Sequence, residues 1–84
     1  MIDGAEALGR ELAGAQALEV SLAAAIEVMQ RQADEVEREW GPQSARHVRD
    51  EADEVERRRE RTAHRVKDIE ERIAWQRKQI KSHG

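Results

Sequence analysis

The residues able to do chemistry in this 84-residue chain are few: three histidines, three serines and a run of arginines. Glu60, His64 and Asp68 fall four apart on one helix face, a spacing that could bring two carboxylates and an imidazole to one divalent cation. On a charged outer face the same spacing makes a string of solvated ion pairs. The Glu-x-x-His element of di-iron bundles is absent, because Arg61 stands three residues before His64 and Ser44 three before His47. Ser21, Ser44 and Ser82 have no pocket-forming context for a Ser, His and acid arrangement, and the five glycines form no phosphate-cradling loop. There is no Cys, hence no thiolate nucleophile, disulfide or zinc-thiolate site. The expectation is a chain with no catalytic residues, no metal and no cofactor.

The densest positive charge is Arg57, Arg58, Arg59 and Arg61, with Arg65 one turn on. Such arginines could contact phosphates, in the form of a nucleic-acid-binding hairpin dimer that uses Arg57, Arg58, Arg61 and Arg65. Against this stand a net charge of −3, the interleaved Glu54, Glu56 and Glu60, and the lack of any Phe or Tyr for base stacking. An ion-paired, solvated face is the better reading.

These residues must be carried by helices. The chain is 38% apolar and 39% charged, and 13 of its apolar residues are Ala against four Leu, so it cannot build a bulky core. Trp40, Gly41, Pro42, Gln43 and Ser44 are the one strong break: Gly can end a helix in the left-handed conformation and Pro cannot continue one. The pattern predicts a single all-α hairpin domain, with a helix over about 4–40, a turn at 41–44 capped by Ser44, and a helix over about 44–82. Trp40 is expected to pack over Val48. Leu8, Leu12, Ala15, Glu19, Leu22, Ile26, Met29, Ala33, Val36 and Trp40 alternate steps of four and three, the seam of a coiled coil. Ala45, Val48, Ala52, Val55, Arg59, Thr62, Val66, Ile69, Ile73, Gln76 and Ile80 do the same. Folding about Ser44 would set Val36 near Ala52, Met29 near Arg59, Leu22 near Val66 and Leu8 near Ile80. Residues 1 to 44 hold nine acids and three bases, and residues 45 to 84 nine acids and twelve bases, so the arms attract.

The hairpin alone leaves apolar surface uncovered. Ala13, Ala17, Leu18, Val20, Ala23, Ala24, Ala25 and Val28 lie off the seam, and a helix apolar around most of its circumference belongs among several neighbours. Ala5, Gly9, Ala13 and Ala17 recur every four residues, and Ala17 and Ala24 continue that surface at heptad spacing; small residues let helices approach closely. The expected arrangement is a homodimer, a four-helix bundle joined at the open end through Leu8, Leu12, Ala15, Leu18, Leu22, Ile26, Met29, Ile69, Ile73, Trp75 and Ile80. Its charged turn ends would project towards partner proteins. Glu19 and Arg59 are polar intrusions in the seam that would set register or oligomeric state, and with Glu19 placed near Ile69 a bridge between the two would have to cross the dimer. The alternative is a hetero-oligomer whose other subunit covers the same open end.

The longest charge-free stretches in the apolar half are seven residues, so no membrane span is expected; with no basic leader, the chain reads as cytoplasmic. Twelve Arg against three Lys suit a GC-rich bacterial or phage genome, or a designed protein. Two helices of about 40 residues meeting at a Trp and Gly are similar to the small Trp-x-Gly hairpins of type VII secretion, which implies a secreted or secretion-associated helical dimer. Here Trp40 and Gly41 are adjacent, and without Tyr there is no Tyr-x-x-x-acid export signal.

Overall fold

A computed structural model describes residues 4–83, with the side chains of Ala5 and of residues 81–83 outside the description. The place of Ala5 in the small-residue series, and those of Ser82 and His83, therefore lie outside the described side chains. Helix α1 runs Gly4–Trp40 and helix α2 runs Pro42–His83, folded back to back in a hairpin 65 × 19 × 14 Å.

The connection is Gly41 alone. Its φ of +91° is the left-handed conformation that a Cβ would strain, and its N–H donates to the Glu37 carbonyl at 2.9 Å, closing the last turn of α1. Pro42 follows as the first helical residue of α2, where its missing N–H would have had no helical partner and its fixed φ suits the start. Ser44 is thus not the expected cap: it sits inside the first turn of α2 and its hydroxyl donates to the Trp40 carbonyl at 3.3 Å, satisfying an acceptor left open at the end of α1. Trp40 does not close the turn over Val48 either, being 73% exposed.

Because one residue makes the connection instead of four, the helices pair about one turn out of the expected register. Leu22 shares a groove with Thr62, one turn before the expected Val66, and Ala33 shares one with Ala52, which Val36 was expected to face. At the open end Gly4 lies against Gln76, so Ile80 projects beyond the start of α1 and is exposed instead of covering Leu8. The seam residues other than Trp40 and Ile80 do face inward. Ala15, Val66 and Ile69 form a buried cluster with Leu8, Leu12 and Ile73 packed against it, and Leu22 and Ile26 extend it towards the turn. Nearer Gly41 the buried residues shrink to Ala33, Ala45 and Ala52, which lets the helices come close where they are joined. Thr62 is buried too, with its hydroxyl donating to the Arg58 carbonyl at 2.9 Å, so this polar residue in the seam leaves no donor unpaired.

Candidate interaction surface

Eight of the eleven residues expected at the interface, Leu8, Leu12, Ala15, Leu22, Ile26, Met29, Ile69 and Ile73, lie between α1 and α2 of the same chain. Ala15, Leu22, Ile26 and Ile69 are buried there, and Leu8, Leu12, Met29 and Ile73 are half-buried. Leu18, Trp75 and Ile80 stay exposed at 45%, 62% and 66%. Trp75 lines an open groove with Gly4, Ala7 and Leu8 at the free end of the hairpin.

The larger uncovered surface is on the side of α1 turned away from α2. Ala13, Ala17, Val20, Ala24 and Val28 are all exposed, Val20 at 70%, and this row is the back of the helix whose front carries the seam. It is bounded by charge. Glu6 and Arg10 pair at 3.4 Å on one side, and Glu27 and Arg31 at 4.0 Å on the other. The small residues and Val20 were legible as lying off the seam; the four charges continue their spacing of four and three at each end. The segment from Glu6 to Trp40 is also long and apolar enough to cross a membrane by length and composition, with 17% of its most apolar window buried in the hairpin. The expectation of no span counted unbroken runs, whereas an average over a helix dilutes isolated acids. The core helix of a water-soluble bundle meets the same criterion.

The charged residues of the seam are nearer one another than expected. Arg59 is half-buried and forms a hydrogen bond to Glu56 at 2.8 Å, which, with the charges of Glu56 and then Glu19, raises its pKa above the ordinary arginine value. Glu19 is thus near enough within one chain for its charge to add to that rise, while the ion pair of Arg59 is with Glu56. Across the helices Arg49 binds Asp34 at 3.2 Å and also Glu37, and Arg65 binds Glu11 at 3.1 Å, each a base of α2 meeting acids of α1. These pairs are exposed and orient the helices more than they stabilise them.

In the arginine run, Arg57 is held by Glu54 at 3.0 Å, and that hydrogen bond, with the neighbouring charges of Arg61 and Arg58, holds the Glu54 carboxyl below the usual carboxylate range. Arg58, Arg61 and Arg65 line a shallow groove with Leu18 and Leu22. Among the described residues no three His, Asp or Glu side chains converge as a metal site would need, and His47 lies instead 3.0 Å from Glu51 on its own helix.

Fold and surface together define an all-α helical hairpin with one uncovered apolar helix face. Comparison with protein-family models, curated proteins and solved structures finds no match to this chain.

Proposed function

We propose that the chain is a non-enzymatic oligomerisation and adaptor protein: a hairpin that pairs with a second copy into a dimeric four-helix bundle and presents its charged turn ends to partner proteins. The observation that carries this reading is the exposed row Ala13, Ala17, Val20, Ala24 and Val28 on α1, which α2 does not cover. An apolar face of this length exposed to water favours association. Light scattering coupled to size exclusion, with circular dichroism of the same fraction, tests it. The expected result is one helical species near twice the 9.6 kDa chain mass; a helical monomer would refute it.

A second reading, a subunit of a hetero-oligomer, is favoured by the separate groove at the open end, where Trp75 stands beside Ala7 and Leu8. Large aromatics on a rim of small residues are good anchors for a partner. On this reading the isolated chain aggregates or is only partly helical, and a pull-down from its source recovers the partner.

A further inference from the structure

The back of α1 is self-complementary about one point. Glu6, Arg10, Ala13, Ala17, Val20, Ala24, Glu27 and Arg31 alternate steps of four and three without a break, a second coiled-coil seam opposite the one that faces α2, and every one of them is exposed. Read outward from the bond between Leu18 and Glu19, the seam pairs Ala17 with Val20, Ala13 with Ala24, Arg10 with Glu27 and Glu6 with Arg31. Apolar positions match apolar ones, and each charge matches its opposite.

We propose that a second copy docks antiparallel on this face, α1 against α1, about a two-fold axis passing between Leu18 and Glu19. The inference rests on the self-association proposed above and names its surface and register. In a two-fold interface every contact occurs twice, so a palindrome of charge in the sequence becomes complementarity between copies. At each end the local pairs Glu6 with Arg10 and Glu27 with Arg31 would close into a ring of four alternating charges, two from each copy.

Other arrangements lose this match. A parallel pair in register sets Glu6 on Glu6 and Arg10 on Arg10. A shift of one heptad puts Glu6 and Arg10 against Ala24 and Val20, or Arg31 and Glu27 against Ala13 and Ala17. A compact bundle that also used the side of α2 next to Leu18 would bury the exposed Arg58, Arg61 and Arg65. The four helices therefore lie with the two copies of α1 in the middle. Gly9 and Gly14 flank the new seam, and a Cβ on either would meet nothing within 4 Å in the hairpin. The hairpin's own packing gives no reason for these helix-disfavoured residues, whereas a close neighbour on α1 does.

Charge reversal tests the register. Glu6→Arg with Glu27→Arg makes all four charged seam positions basic, and Arg10→Glu with Arg31→Glu makes them acidic. Each variant is expected to keep its helical circular dichroism and to dimerise at least tenfold more weakly, and mixing the two is expected to restore a 1:1 heterodimer. If both variants dimerise as the unaltered chain does, this face and register are wrong while self-association stands. If the unaltered chain is monomeric, free or on neutral phosphatidylcholine vesicles, both proposals fall. A second measurement does not depend on those variants folding. Ala13→Cys and Ala24→Cys chains, mixed and mildly oxidised, are expected to give the mixed disulfide; cross-links only between identical chains would overturn the antiparallel pairing.

Discussion

Leu22 is where a single side chain decides whether the hairpin holds. It is buried in the seam against the half of α2 that carries Thr62 and Val66, so Leu22→Ala should cost about 2–5 kcal/mol in a core with few other large residues. Leu22→Asp should abolish most helicity, read by circular dichroism; a variant that stays helical and melts normally would show that the seam does not depend on this residue. Glu54 makes a prediction of sign. Its folded pKa is depressed, chiefly by the hydrogen bond from Arg57, so the pair stabilises the helix at neutral pH and that contribution is lost as pH falls through the depressed value. Carboxyl chemical shifts should titrate below the usual glutamate range in the parent and return to it in Arg57→Gln. The residues that turn inward were readable from their spacing alone. The partner of Arg59 was not: it is Glu56, three residues back on its own helix, which the seam pattern alone does not single out.

At the level of the helices, Gly41 and Gly14 set the same substitution against opposite outcomes. Gly41→Ala meets no neighbour within 4 Å, yet its positive φ makes a Cβ costly by roughly 1–2 kcal/mol. Gly14→Ala, in the interior of α1 and equally open in the single hairpin, should gain about 1 kcal/mol from helix propensity when melted at concentrations where the chain is monomeric, while weakening the proposed dimer in which its Cβ would meet the neighbouring α1. Thermal melts of both variants check the pair, and a stabilising Gly41→Ala would mean the connection is not as described. The two helices and the place of the break were legible because periodicity and the Gly and Pro signals agree. The register was not, because Pro42 reads equally as the last residue of a loop or the first of a helix. Taking it as loop lengthened the turn and slid α2 by about four residues. The back of α1 was legible in part: Ala13, Ala17, Val20 and Ala24 read as off the seam, but alanine signals helix formation and contact surface alike, and the fold shows that α2 leaves these four exposed.

For the whole molecule the proposed antiparallel dimer would fix where the turn ends go. Gly41 lies 22 to 23 residues from the proposed axis, so the two turns point in opposite directions about 68 Å apart at a rise of ~1.5 Å per residue. A spin label on Gln43→Cys, in a chain with no other cysteine, should report a distance near this value between the two copies; a much shorter distance would mean the turns sit side by side. If the chain is the adaptor proposed, it would hold two identical partners at opposite ends of a strut. The one-residue connection also governs how the hairpin comes together. Contacts beside Gly41 close the shortest loops, and each doubling of loop length costs only about 0.6 kcal/mol more, but what they bury is alanine. The apolar weight, in Leu22, Val66 and Ile69, lies further along the chain. Zippering begins where closure is cheapest and becomes favourable only when it reaches the other half, so a fragment trimmed back to the turn would keep the fastest-forming part of the molecule and be unable to stay closed.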